Sequence, residues 1–211
     1  MTSCCRVGAI VLAAGQSSRF RAAGGPDLTK LVAKFDGKPI VRRVVEAALA
    51  TKARPVVVVT GYAGESVEAA VVGLDVGVAL NPRFASGLAS SLSVGLSAMP
   101  REVAGALVLL GDMPLIEPRL ADALIDAFLG REGALAAVPV REGRRGNPVL
   151  LSRGLFESAM RLTGDEGARW LIGALSASEL VEVETPDTGV TFDIDTLEDL
   201  ATARRLVGGD R

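Results

Sequence analysis

Runs of β-branched and other apolar residues punctuate the chain at Val7–Leu12, Pro55–Thr60, Val76–Leu80, Ala104–Leu110 and Leu135–Val140, each with the length and composition of a strand. Between several of them the apolar positions recur at spacings of three and four. Pro39–Leu49, with proline at its start, is one such stretch, and Leu88–Met99 and Pro118–Leu129 behave alike, so these predict amphipathic helices. Pro55-Val-Val-Val-Val-Thr60 is apolar almost without interruption, as a strand covered on both faces requires. The series therefore predicts an α/β fold, a Rossmann-like doubly wound, mostly parallel sheet with helices on both faces and ligands at the strand C-terminal ends. The alternation changes after about residue 135. Arg141-Glu-Gly-Arg-Arg-Gly-Asn-Pro148 is a polar, turn-rich loop between short strands, read as a hairpin-type insertion that lies over the sheet edge and contacts a second substrate.

Length and composition narrow this picture. The 211 residues suit a single α/β domain spanning 1–211, with its core at about 7–206, that buries roughly 70 % of its unfolded surface. A net charge of −2 gives no general attraction to nucleic acid or to an anionic membrane, and 4 % aromatic content is too sparse for a base-stacking platform. The chain has no histidine, which removes Ser-His-Asp triads, histidine bases and histidine metal sites. Catalysis must then rest on carboxylates, lysine, arginine or metal. Cys4 and Cys5 are the only cysteines; adjacent thiols at a frayed leader point to a reducing compartment. Without a membrane-length apolar run or a secretory pattern, the expected location is the cytoplasm.

The first strand runs into Leu12-Ala-Ala-Gly-Gln-Ser-Ser-Arg19. Ala13, Ala14 and Gly15 leave backbone N–H groups accessible to an anion, while Ser17, Ser18 and Arg19 add hydroxyl and guanidinium donors, so the segment reads as a phosphate cradle. It is neither a Gly-x-x-x-x-Gly-Lys-Ser/Thr loop nor a Gly-x-Gly-x-x-Gly turn. Asp112 follows the apolar strand ending at Leu110, where a carboxylate suits Mg²⁺. Asp193 and Asp195 alternate in Thr191-Phe-Asp-Ile-Asp-Thr196 and share a face, which favours a neutralising cation. Thr196 and Asp199 form a helix capping box. Lys30 follows a glycine turn at Gly24-Gly-Pro26 and stands as a triphosphate clamp. Asn81–Gly87, leading into Leu88-Ala-Ser-Ser91, offers amide and hydroxyl groups for a base or ribose.

Taken together, Leu-Ala-Ala-Gly-x-Ser-x-Arg at 12–19, Lys30, Val-Thr-Gly-Tyr at 59–62, Asn-Pro-x-x-x-x-Gly-Leu at 81–88, Gly-Asp-Met-Pro at 111–114, Gly-Asn-Pro-Val-Leu at 146–150 and Asp-Ile-Asp-Thr-x-Glu-Asp at 193–199 resemble the MobA-like nucleotidyltransferases. The similarity is to their molybdenum cofactor cytidylyltransferase branch and covers about residues 7–206. It implies transfer of CMP from CTP to a molybdopterin-type molybdenum cofactor with release of pyrophosphate and Mg²⁺ as metal, with a client molybdoenzyme as a possible further partner. It implies nucleotide contacts at Leu12, Ala13, Ala14, Gly15, Ser17, Arg19, Lys30, Gly61, Asn81, Gly87, Ser90 and Ser91, acceptor contacts at Gly146, Asn147 and Pro148, and metal at Asp112 with Asp193 or Asp195. Lys30, Arg19 and Asp112 are the implied catalytic set. Ala14 stands where guanylyl-transferring relatives typically carry glycine, which points towards the pyrimidine. The interval from Arg19 to Lys30 is longer than the family pattern, so Arg21 is a second candidate phosphate contact, and Gly-Asn-Pro replaces the Gly-His-Pro of some relatives. The alternatives are a guanylyltransferase, a cytidylyl- or uridylyltransferase for a sugar or alditol phosphate, and a carrier that binds cofactor without turnover.

Overall fold

A computed structural model describes residues 6–25, 29–165 and 167–208; Cys4 and Cys5, and the proline of the turn before Lys30, lie outside them. Strand β1 (Arg6–Ala13) is followed by the short helix α1 (Ser18–Ala22) and a small hairpin of β2 (Lys34–Phe35) and β3 (Lys38–Pro39). Helix α2 (Ile40–Leu49), β4 (Val56–Thr60), α3 (Gly64–Val71), β5 (Gly77–Leu80), α4 (Leu88–Ser97), β6 (Val103–Leu110) and α5 (Pro118–Leu129) complete the first part. The second part holds β7 (Ala136–Arg141), β8 (Arg144–Arg145), β9 (Val149–Ser152), α6 (Phe156–Met160), α7 (Ala168–Gly173), β10 (Leu180–Glu184) and α8 (Leu197–Gly208).

The main sheet runs β10-β7-β9-β6-β1-β4-β5, with β8 paired to β7. Strand pairs β6/β1, β1/β4, β4/β5 and β7/β10 are parallel, while β9 runs antiparallel to both β6 and β7. This is the mostly parallel, helix-covered sheet that the pattern predicts, made mixed by β9. Its strand order reverses around β1, because the chain builds outward through β4 and β5 on one side and then returns to place β6 on the other. A crevice opens at such a reversal, beyond the strand C-terminal ends.

Period-two packing explains why β1 sits centrally. Val7, Ala9, Val11 and Ala13 face one core with Val41, Val44 and Val45 of α2 and Leu124 of α5. Ile10 and Leu12 face a second core with Leu92 and Leu96 of α4. Helix α2 buries Ile40, Val41, Val44, Val45 and Ala48, the three-and-four spacing legible in the sequence. It starts one residue after Pro39, whose extended backbone (ψ 141°) belongs to the hairpin strand. Helix α4 ends at Ser97 rather than Met99, and Met99 is buried beyond it.

A third, smaller core joins distant parts of the chain: Phe20 of α1, Phe35 of β2, Ile40, Ile194, and Leu200 and Ala203 of α8. Phe20 and Ile194 are fully buried. Each adjoins charged residues, Arg19 beside Phe20 and Asp193 and Asp195 flanking Ile194. Burial of these anchors brings the charged neighbours to one side of the crevice.

Candidate active site

Gly111 donates its backbone N–H to the carbonyl of Leu12 at 2.9 Å, which extends the β1–β6 pairing past the strands and sets the cradle beside Asp112. A Cβ on Gly111 would lie 2.9 Å from that same carbonyl, so the close approach depends on glycine. On the opposite side, Ile194 donates its N–H to the carbonyl of Asp112 at 3.0 Å. Asp199 then organises the start of α8, since one of its oxygens accepts from the N–H groups of Asp195 and Thr196, at 3.0 and 2.7 Å, and from the Thr196 hydroxyl. The Asp199 N–H donates to that hydroxyl at 3.1 Å. The capping box is formed as its spacing predicts, and it also fixes the backbone that carries Asp195.

These ties gather three carboxylates. Oxygens of Asp112, Asp193 and Asp195 lie within 4.8 Å of one another. Lys30, only 8 % exposed, places its Nζ 2.7 Å from Asp112 Oδ2 and 2.6 Å from Asp195 Oδ1, and Arg19 pairs with the other oxygen of Asp195. Burial alone pulls the Lys30 ammonium down, but the neighbouring Asp112 and Asp195 outweigh it and raise its pKa. Burial pushes Asp195 up, and Lys30 and Arg19 together bring it below its ordinary value. Asp193 is raised, first by desolvation and then by the like charges of Asp112 and Asp195. A trio of hard oxygen donors fits a divalent cation of the Mg²⁺ or Mn²⁺ type, and Lys30 and Arg19 fit phosphate oxygens.

Lys30 is held by its backbone as well. Ser17 Oγ and Thr29 Oγ1 are 2.9 Å apart, and the Lys30 N–H donates to Ser17 Oγ at 3.2 Å. Ser17 adopts a left-handed conformation (φ 52°) and Thr29 is fully buried. The hydroxyl pair ties the lysine loop to the cradle. Ser17, expected as a phosphate donor, thus also has a structural partner in Thr29; a threonine in a short polar stretch carries no local signal of such a tie.

The crevice is a cleft of about 550 Å³ lined by Leu12, Ala14, Gly15, Ser17, Arg19, Lys30, Gly87, Ser91, Asp112 and Asp195, together with Phe84 and Asp165. A Cβ built on Gly15 meets no protein atom within 4 Å, so the cradle backbone is open to a ligand. Four residues of the implied nucleotide set, Asn81, Gly61, Ala13 and Ser90, do not line the cleft. Asn81 is fully buried and its amide is consumed internally, donating to Ser90 and Ser91 at 2.8 and 3.0 Å and accepting from the Arg83 N–H at 2.9 Å. Gly61 is a spacer: a Cβ there would stand 2.7 Å from Phe84 Cβ and 2.8 Å from Ala14 Cβ. Ala13 is fully buried beneath the cradle, and Ser90 bonds Asn81 and the carbonyls of Arg83 and Gly87. Arg21, the second candidate for phosphate, lies over the Tyr62 ring at 4.9 Å.

A second cavity of about 340 Å³ adjoins the first and shares Leu12, Leu88, Leu110 and Asp165 with it. Leu92, Val108, Val138, Val149 and Ile172 give it an apolar wall, and Arg145, Asn147 and Arg169 are polar groups in its lining. Gly146 and Asn147 reach it; Pro148 is buried and does not. Asp165 and Arg169 escaped sequence reading because Thr163-Gly-Asp-Glu-Gly167 registers only as a polar loop. The carbonyl of Gly164 accepts from the Ala89 N–H at 3.1 Å, and a Cβ on Gly87 would come within 2.2 Å of that carbonyl. That contact folds the loop across the start of α4, between the cavities.

Residues 9–180 match the model of the MobA-like NTP transferase domain. The bifunctional protein GlmU of Thermus thermophilus is 38 % identical over 134 residues, 63 % of this chain and 28 % of that protein, so the chain spans well under half the length of that curated relative. The solved Rv0371c homolog from Mycobacterium sp. strain JC1 is 26 % identical, with a TM-score of 0.80 over the whole of both chains. Rv0371c of Mycobacterium tuberculosis H37Rv is 25 % identical, with a TM-score of 0.78 over 95 % of this chain and 98 % of that one; its complex with manganese is also solved.

Proposed function

The chain belongs to the MobA-like NTP transferase family, and from that premise we propose that it transfers CMP from CTP to a molybdopterin-type molybdenum cofactor, releasing pyrophosphate. The observation that carries the reading is the juxtaposition of Lys30, Arg19, Asp112 and Asp195 in a cleft, with the exposed Asp193 beside them, and that cleft shares a wall with a largely apolar second cavity. In this reading the nucleotide lies along Leu12, Ala14 and Gly15 with its phosphates towards Arg19 and Lys30. The acceptor body occupies the second cavity against Gly146 and Asn147. Its apolar wall suits the faces of a fused heterocycle, and Arg145, Asn147, Asp165 and Arg169 suit its polar edges. Ala14 and the Gly-Asn-Pro loop favour the cytidylyl over the guanylyl branch by resemblance.

The reaction is an in-line displacement. A terminal phosphate oxygen of the acceptor forms a bond to the α-phosphorus of CTP, and the bond from that phosphorus to the α,β-bridging oxygen breaks. Pyrophosphate takes the electron pair. Lys30 and Arg19 offset charge on the phosphate oxygens, and the cradle holds the α-phosphate in line, so positioning and electrostatics carry the rate. Asp112 and Asp195, with Asp193, would hold Mg²⁺, which supplies charge neutralisation at the phosphates when bound. Among the described residues no helix is long and apolar enough to cross a membrane.

Asp112→Ala tests the assignment of the carboxylates. Pyrophosphate release should fall by about 10²-fold or more, the scale of losing one preorganised electrostatic partner, while CTP still binds. Release at the wild-type rate would refute the role given to Asp112.

A further inference from the structure

The position of the Lys30 ammonium carries a consequence for cation binding. Its Nζ bridges Asp112 Oδ2 and Asp195 Oδ1 at 2.7 and 2.6 Å, and those carboxylates are two of the three whose oxygens converge within 4.8 Å. A divalent cation such as Mg²⁺ held by these carboxylates needs an oxygen of each as a ligand at about 2.0–2.1 Å, and the ammonium already holds one oxygen of Asp112 and one of Asp195 at 2.7 and 2.6 Å. Arg19 differs. It pairs with a single carboxylate, through the other oxygen of Asp195, from a side chain that is 78 % exposed, whereas Lys30 bridges two carboxylates from a buried position. The backbone of Lys30 is pinned through Ser17 and Thr29, so the side chain can leave the carboxylates without dragging the loop.

We propose that Lys30 is a built-in competitor for the divalent-cation site: ammonium and cation exclude one another on Asp112 and Asp195, and cation entry swings Lys30 off the carboxylates towards the triphosphate. The inference rests on the reading of these carboxylates as cation ligands. It gives the site a means of coupling its two ligands. Three carboxylates with Lys30 and Arg19 sum to a charge of −1, a poor trap for a lone cation. A phosphate chain that accepts the ammonium uncovers the oxygens, so cation and nucleotide each make room for the other, and reciprocity follows by linkage.

The test uses Mn²⁺ alone, titrated into the intact protein with free Mn²⁺ read by electron paramagnetic resonance. Lys30→Met should bind Mn²⁺ about tenfold more tightly than wild type, or better, because a charge-assisted pair no longer has to be broken. Arg19→Gln removes the same unit of charge and should gain clearly less. Equal gains in the two variants would reduce the effect to net charge and overturn the exclusion, as would unchanged or weaker binding in Lys30→Met. The wild-type protein supplies a second measurement that needs no buried substitution. The ¹⁵Nζ resonance of Lys30 should shift as Mg²⁺ saturates the site; a resonance that stays in place at saturation also overturns the proposal. No nucleotide or acceptor enters either experiment, so an error in the assigned substrates leaves the outcome unaffected. Loss of Mn²⁺ binding from every form, including wild type, would instead refute the carboxylates as a cation site and the proposal with it.

Discussion

Gly61→Ala separates a residue that touches ligand from one that sets the spacing between two loops. The added Cβ would stand 2.7 Å from Phe84 Cβ, 2.8 Å from Ala14 Cβ and 3.1 Å from the Ala14 carbonyl oxygen. Carbon atoms pack best at about 3.5–4.0 Å, so each Cβ must retreat by about 0.7 Å or more. Both are rigidly attached to backbone, and neither can rotate away. The cradle is further tied by the Tyr62 N–H donating to the Ala14 carbonyl at 3.2 Å, and the Tyr62 ring meets Phe84 edge to face with centroids 6.1 Å apart. Overpacking of this kind costs about 1–3 kcal/mol, or a fall in Tm of about 2–12 °C for a chain of this size. Because Ala14 and Phe84 both line the cleft, nucleotide affinity should fall as well. Thermal unfolding with and without CTP reads both effects. A variant with unchanged Tm and weakened CTP binding would refute the spacer argument and return Gly61 to direct contact.

Other outcomes follow from the same structure. Asn81→Ala leaves the Ser91 hydroxyl and the Arg83 N–H without their partner. It should cost about 1–3 kcal/mol, seen as a lower denaturant midpoint, whereas unchanged stability with lost CTP binding would make Asn81 a ligand contact after all. The pH dependence has two limbs. Asp195 is depressed in the folded chain, so its contribution is fully present above the ordinary aspartate pKa and is lost as pH falls through the lower folded value; Asp195→Asn should flatten that acid limb below about pH 4. Lys30 is raised, so its contribution is fully present below the ordinary lysine value of about 10.4 and is lost as pH rises through the folded one. Lys30→Met should flatten the alkaline limb in thermal melts across pH, and an unchanged profile in either variant would contradict the ion-pair geometry.

How much of this was legible depended on whether a signal was local. Strands β1, β4 and β6 announced themselves because a strand covered on both faces must be apolar throughout. Strand β10, Leu180-Val-Glu-Val-Glu184, did not, since an edge strand needs burial only at Leu180 and Val181. Helix α3 was missed because it buries only Val67 and Val71, too short a stripe to read as a period. Asp112 and the cradle were visible from their places after strands. What Asn81 bonds to was not, because a strand-end amide looks the same whether it faces a ligand or its own loop. The Lys30–Asp195 pair spans 165 positions and depends on the third core, whose members Phe20, Phe35, and Ile194 with Leu200 come from three separate stretches.

Pyrophosphate release with Mg²⁺ and molybdopterin-bound molybdenum, compared across CTP, GTP, ATP and UTP under identical conditions, measures the proposed transfer directly. Selective release with CTP is the predicted result. Preference for GTP would move the chain to guanylyl transfer, and no release with any nucleotide would contradict transfer to this cofactor, leaving a different acceptor or a carrier that binds without turnover.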